Sequence, residues 1–263
     1  MRRSAKDFGV MIPELHEGQQ RVKDNLKKRN YICAHRGWRK SSFGIHLAIE
    51  HLLKGHNVGW YAPTFNVVTS SNWVDFKRAC YGNDDWFNKS ESSWTIPGCG
   101  TCFFFSVDRP GTARGGTFTL AIGEEMGEWQ DGVFESVVQP IVKKVDGTFV
   151  GIGTPNTVLP YNDFYKRIQS AKNYPESHAS FLIPAWGADF VDGILTEGVA
   201  GDYQYISREL PFRAFQDLVE DYEMSDDKMK WRVEYLCRFE SSAGGQFSGV
   251  SECCILPTVI KND

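Results

Sequence analysis

"CAHRGWRKSS" occupies residues 33–42 and overlaps the end of a short apolar run, "NYICAH" (30–35). A buried strand, a polar turn, a Lys-Ser pair and the helical pattern "SSFGIHLAIEHLLKG" come in that order. A phosphate-binding loop needs this order. Backbone N–H groups line a turn at a helix N-terminus, a lysine reaches the terminal phosphates and a hydroxyl holds magnesium. Lys40 and Ser41 stand at the last two positions. Arg39 stands where such loops carry glycine, a residue used there for its backbone freedom and close phosphate approach. Arg39 must take a different local path or accept strain, eased by Gly37 two residues earlier. An ordinary strand–turn–helix with a surface Arg-Lys pair would look the same locally, so the loop does not decide the chemistry alone.

Outward from the loop, strands alternate with helices. Residues 14–28 read as an amphipathic helix, with Leu15, Val22 and Leu26 on one side. "NVGWYAP" reads as a strand stopped by Pro63, and a helix covers part of 65–80. "SWTIPGCGTCFFFSV" reads as two antiparallel strands around a glycine turn. "TFTLAI" (117–122) is an apolar strand, and "GVFESVVQPIVKKV" a helix that Pro140 should kink. "GTFVGIGTP" (147–155) is a strand ending in a sharp turn, "YNDFYKRIQSAK" a helix and "SHASFLIPAW" a last strand. The remainder to about 240 reads as mostly helical. This alternation implies an α/β fold with a mostly parallel sheet covered on both faces. The tail after Arg238, "FESSAGGQFSGV", is small and polar and reads as a boundary or linker.

Composition narrows the function classes. The chain has 263 residues, 41% hydrophobic and 24% charged, with a net charge of −4. It can bury a real core. A globally basic nucleic-acid coat is excluded, so any DNA contact must come from local patches such as Lys27-Lys28-Arg29 or Lys143-Lys144, which also read as solvated helix ends. No stretch approaches a membrane span and the N-terminus has no apolar signal core, so a cytosolic protein without membrane partners is expected. Seven irregularly spaced cysteines argue against a disulfide framework. "CGTC" at 99–102 lacks the second pair a zinc site would want, and a hairpin turn accounts for it better.

Three further segments fit the loop. "TLAIGEEMGEW" is an apolar strand ending in Glu124 and Glu125. Such a pair can hold magnesium with its first acid and orient the attacking water with its second, although it also suits a solvated helix start. "FVGIGTPN" could place Thr154 beside the phosphates, or be a plain βα turn. "SVDRPGTARGG" carries Arg109 and Arg114. An arginine there could reach a neighbouring subunit's phosphate, or simply sit in water.

Taken in order, these segments resemble the ATPase domain of tailed-phage large terminase subunits, over roughly residues 14–250. "LHEGQQRVKDNLKKRNYICAHRGWRKS" resembles the family's opening glutamine, helix, strand and phosphate loop. "GWYAPTF" is similar to its strand with Ala-Pro-Thr, and "DRPGTARGGTFTLAIGEEMGEW" to its Arg-Gly and acidic-strand segment. "GTPN…YNDFYK" is similar to its coupling motif and aromatic helix, and "WRVEYLCRFESSAGGQF" to the element that closes the domain. The resemblance implies a P-loop NTPase of the additional-strand, catalytic-glutamate type with a small helical lid. The ATPase domain would cover residues 1–245, with the lid near 200–240, and 246–263 would lead towards a nuclease domain that the chain does not contain.

The resemblance also implies roles. Gln19, near the adenine, and His35, Arg36, Gly37, Trp38, Arg39, Lys40, Ser41 and Ser42 would form the ATP site. Ser41 and Glu124 would hold Mg²⁺, and Glu125 would be the catalytic glutamate, assisted by Lys40, Arg36 and a trans-acting Arg114. Thr154 and Asn156 would report the phosphate state to the lid. The implied function is MgATP hydrolysis coupled to translocation of double-stranded DNA into a procapsid, in the host-cell cytoplasm. Portal protein, small terminase subunit and a homo-oligomeric ring, implied to be a pentamer, would be the partners. Two departures stand out: Arg39 replaces the loop glycine, and Glu124 stands where aspartate is usual. A helicase-like motor, or a nucleotide-binding scaffold subunit weakened by Arg39, remains the alternative.

Overall fold

The structure is a computed structural model that describes residues 9–79, 84–109, 116–201 and 212–240. Helix α1 (Glu17–Asp24) precedes strand β1 (Arg29–Ala34), and α2 (Lys40–Leu53) precedes β2 (Val58–Ala62). A helical stretch follows as α3 (Phe65–Val67), a π-helical turn (Val68–Asn72) and α4 (Trp73–Ala79). Then come β3 (Phe87–Asn88), β4 (Ser93–Thr95), β5 (Thr101–Ser106), β6 (Leu120–Gly123) and a 3-10 turn (Met126–Glu128). A second π turn (Phe134–Val138) runs into α5 (Gln139–Lys143), followed by β7 (Thr148–Gly153), α6 (Asp163–Ala171) and β8 (His178–Ile183). The described chain ends with β9 (Asp189–Val191), β10 (Ile194–Thr196), α7 (Phe215–Met224) and α8 (Lys228–Leu236).

One 8-stranded sheet runs β3-β4-β5-β2-β6-β7-β1-β8. From β5 to β8 every neighbouring pair is parallel, and β3 and β4 are an antiparallel edge. Every residue of β1, β2 and β6 is buried, as a sheet covered on both faces demands. On one face, Trp60, Trp94, Phe76 and Phe104 pack with the apolar side of α2. On the other, Tyr31, Phe134, Phe149 and Phe164 form a second core. A third cluster, with Trp186, Phe212, Leu218, Trp231 and Leu236, joins α7 and α8 to the turn after β8. Of the span 200–240 expected to form a lid, residues 202–211 lie outside the described residues, as does the tail at 246–263.

Several local expectations change. α1 is shorter than 14–28 because it is capped: His16 Nδ1 accepts from the Gln19 N–H at the start, and Asn25 ends it. Residues 189–196 form a hairpin rather than helix. Its two-residue turn is Asp192-Gly193, both with positive φ (51° and 80°), the geometry that an Asp-Gly turn favours between strands. Pro140 sits at the start of α5 behind a π turn, where its missing N–H costs little. The 27–29 cluster is largely structural: Lys28 bonds Asp146 at 2.7 Å, and the Arg29 guanidinium donates to the Gly147 carbonyl at 2.7 Å. "CGTC" spans the end of the β4–β5 turn and the first two residues of β5, where the Cys102 side chain is buried.

Phe76 is the hub of the first core. Its ring lies 5.3 Å from Trp60, 5.1 Å from Trp94 and 5.1 Å from Phe104. It also stands one helical turn after Asn72, a residue of the site described below. Phe76→Ala should destabilise the fold by about 3–5 kcal/mol, and Phe76→Leu by much less. Urea unfolding of both variants checks this.

Candidate nucleotide site

Parallel β1, β7 and β6 are consecutive in the sheet, so the turns at their carboxyl ends share one edge. β7 lies between the loop strand and the acidic strand. This is the insertion that the additional-strand type of P-loop fold requires. Register places Cys33 opposite Gly153, and Gly123 opposite Gly151. The acids at 124–125 therefore begin two residues short of the turn at 154–156 and three short of the loop at 35–39, on the same carboxyl edge.

In the loop, Arg39 takes the left-handed conformation (φ 59°, ψ 46°) and is the N-cap of α2. The arginine thus adopts the backbone a glycine would, at a cost of roughly 1–2 kcal/mol. Trp38 is fully buried and packs edge-on against Phe43 at 5.4 Å. The Gln19 carboxamide donates to the Trp38 carbonyl at 2.9 Å and to the Arg39 carbonyl at 3.1 Å. Lys40 Nζ lies 3.3 Å and 3.4 Å from the Ala34 and His35 carbonyls, folded back along the loop. Ser42 is half-buried in the first turn of α2. Arg36 turns outward to α8: its guanidinium bonds Glu234 at 2.9 Å, and its N–H donates to the Glu234 carbonyl at 2.8 Å.

His35 is buried, with Nδ1 2.7 Å from the Arg36 carbonyl, a contact that fixes Nδ1 as the donor. Burial lowers its pKa to about 4, helped by nearby Lys40 and His16 and opposed by the Arg36 bond.

Ser41 Oγ donates to Glu124 Oε1 at 2.6 Å. The other oxygen of this buried carboxylate accepts from Trp60 Nε1 at 3.3 Å and from Asn72 Nδ2, and Trp129 Nε1 donates to the Glu124 carbonyl at 3.0 Å. Burial raises the Glu124 pKa, and the bonds from Ser41 and Asn72 oppose it. A hydroxyl and a carboxylate side by side at a helix N-terminus are the hard oxygen donors that suit Mg²⁺ on a phosphate. Among the described residues no group of three or more His, Cys, Asp or Glu is placed to hold a metal unaided. Any such ion would take its remaining oxygen ligands from outside the chain, water included.

Glu125 follows in a left-handed conformation (φ 44°) and turns the chain into the 3-10 turn. With Thr64, Asp108, Glu128 and Gln130 it lines a cavity of about 400 Å³. The turn packs tightly on the end of β7: a Cβ on Gly127 would fall 1.9 Å from the Thr154 carbonyl oxygen. Asn162 Nδ2 donates to the Gly127 carbonyl at 2.6 Å, and Asn156 Nδ2 to Glu128 at 3.1 Å. Asn156 Oδ1 accepts from the Val158 and Leu159 N–H groups, both at 2.7 Å.

The structure thus bonds Ser41 to Glu124, with Lys40 just before Ser41 and Glu125 just after Glu124 in sequence, and packs the Thr154 backbone and the Asn156 side chain on the acidic turn. Arg114 lies outside the described residues. Sequence reasoning missed Trp60, Asn72, Trp129, Glu128, Asn162 and Glu234. Asn162 was visible as an N-cap before "DFYKRI", and its side chain also accepts from the Phe164 N–H. Asn72 gave no signal, because a π turn sets its direction.

No protein-family model matches the chain, and no curated protein does. Solved structures do. The Thermus phage P74-26 large terminase ATPase domain is 18% identical over 91% of this chain and 99% of its own, with a TM-score of 0.58. The HK97 bacteriophage large terminase is 14% identical over 88% of this chain, with a TM-score of 0.65. A large terminase from a thermophilic bacteriophage, in complex with ADP, is 11% identical over 86%, with a TM-score of 0.56. This chain has the fold of a large-terminase ATPase domain. It covers 53% and 54% of the last two structures. The 8-stranded, mostly parallel sheet flanked by helices is the α/β P-loop architecture of that fold.

His35 makes the loop sensitive to acid. Below the ordinary value of 6.5 the unfolded chain takes up a proton that the buried imidazole refuses until about pH 4. Stability is therefore lost as pH falls through that window, by on the order of 3 kcal/mol. His35→Asn can keep the donor to the Arg36 carbonyl without titrating. Its stability relative to wild type should rise by about that amount between pH 7 and pH 4, measured by urea unfolding across the range.

Proposed function

We propose that the chain is an ATP-hydrolysing motor domain of a viral DNA-packaging terminase. The observation that carries the proposal is the 2.6 Å bond between Ser41 and Glu124 on the carboxyl edge of a terminase-type sheet. Lys40 and the loop N–H groups hold the phosphates, and Ser41 and Glu124 hold magnesium. Bound magnesium neutralises charge developing on the phosphoryl oxygens. Glu125, facing the adjoining cavity, orients the attacking water and accepts its proton. Thr154 and Asn156 sense the state of that turn through Gly127 and Glu128, and α8 meets the loop through Glu234 and Arg36. Structures of the same fold named as complexes with ADP and with ATP-gamma-S support nucleotide as the ligand.

Arg114 of a neighbouring subunit supplies the transition-state cation, an effect of about 10³–10⁵ in rate where such fingers are well studied. The working assembly is a ring, a pentamer, on a portal protein with a small terminase subunit. It moves double-stranded DNA into a procapsid in the host cytoplasm. The described residues hold no helix long and apolar enough to cross a membrane. The left-handed Arg39 favours one other reading, a nucleotide-binding subunit without turnover.

Phosphate release from MgATP over a range of protein concentrations separates the two. Turnover per chain should rise with concentration, as a trans-acting arginine requires. Glu125→Gln should lower it by at least about 100-fold while leaving ATP binding intact. ATP binding with no turnover at any concentration, or turnover indifferent to Glu125→Gln, would overturn the proposal.

A further inference from the structure

Gln19 is buried, and every polar atom of its side chain has a partner. Nε2 donates to the Trp38 carbonyl at 2.9 Å and the Arg39 carbonyl at 3.1 Å, and Oε1 accepts from the His16 N–H at 3.4 Å. A primary amide has two N–H donors, so both go to the phosphate loop. Reading an adenine edge requires a donor and an acceptor from one carboxamide. Here the donors face the loop backbone instead.

The two carbonyls are those on either side of the Arg39 Cα. The first belongs to the peptide plane before Arg39, the second to the plane after it. Holding both planes fixes the φ and ψ of the residue between them, and that residue is in the left-handed region at φ 59°. A glycine there would need no such support. His16 reinforces the contact: its Nε2 lies 3.4 Å from the same Trp38 carbonyl, and its ring meets Trp38 edge-on at 5.6 Å. Trp38 itself is sealed in the core.

We infer that Gln19 is a positioning residue for the phosphate loop, strapping Arg39 into the conformation that glycine supplies elsewhere, and that it does not select the base. The site then recognises the triphosphate, and Gln19 gives no preference for adenine over guanine. The nucleotide part of this inference rests on the function proposed above; the strap itself does not.

The test measures binding of ATP, GTP and inorganic tripolyphosphate, each with magnesium, to the full chain by calorimetry, together with Tm. The variants are Gln19→Met, Arg39→Gly and the double substitution. Gln19→Met has similar volume and no donor. It should weaken all three ligands by a common factor of about tenfold, and it should lower Tm. Both effects should shrink in the Arg39→Gly background. A loss confined to ATP would show that Gln19 reads the base and overturn the inference. So would equal Tm losses in both backgrounds, because the strap would then have nothing to do with Arg39. If Gln19→Met does not fold, recovery of folding on adding Arg39→Gly supports the strap, and no recovery overturns it. If the wild type binds none of the three ligands, the proposed function fails, and the Tm comparison still decides the strap.

Discussion

The contact between Ser41 and the buried Glu124 carboxylate is the constraint on which the rest of the site depends. It joins the first turn of α2 to the residue just after β6, ahead of the 3-10 turn, across the intervening strand β7. A buried carboxylate is costly unless its lone pairs are filled, and here an indole, an amide and a hydroxyl fill them. Each donor comes from a different element, so the carboxylate fixes β2, the π turn and α2 relative to one another. An extra methylene, glutamate where aspartate is usual, lets the carboxylate span this gap from β6. The adjoining Glu125 is then free of structural duty and can face the cavity.

Much of this was legible in the sequence, and for physical reasons. β1, β2 and β6 are buried on both sides, so they are mostly apolar, and His35 and Glu124 follow β1 and β6 as buried polar residues at the carboxyl edge. That made the order of strand, loop, acidic strand and the turn after β7 readable without coordinates. The failures have equally physical causes. The Asp192-Gly193 hairpin carried an adequate turn signal, but its strands are short and only partly buried, so periodicity did not mark them. Asn72 points at Glu124 because of a π turn, and one extra residue per turn leaves no trace in residue type. Arg36 holds the loop position that suits a phosphate contact, and it bonds Glu234, almost two hundred residues away, a distance no local pattern spans.

The loop shows how one departure from pattern is absorbed by its surroundings. Arg39 costs backbone energy at the N-terminus of α2, a helix end whose dipole and first-turn N–H groups favour an anion. Relaxing that strain by turning Arg39 out of the left-handed region would swing those N–H groups away. The Gln19 carboxamide holds the two carbonyls that flank the Arg39 Cα, which are acceptors rather than donors. The arrangement leaves the donor face of the loop clear.

The coupling side of the site follows the same logic of close approach. The 3-10 turn after Glu125 has no slack: Gly127 lies against the Thr154 carbonyl, and Asn162 holds it from α6. Any rotation of the Glu125 backbone must therefore displace the turn after β7, since neither partner can compress. On the opposite side, α8 is pinned near the loop by Glu234, and the Cys237 thiol lies 3.4 Å from the Ile183 carbonyl at the end of β8. Two rigid paths thus leave one site, one from Glu125 through Gly127 and Thr154, the other from the phosphate loop through Arg36 to α8. Because β1 and β7 are neighbouring strands, the two paths meet within a single sheet edge.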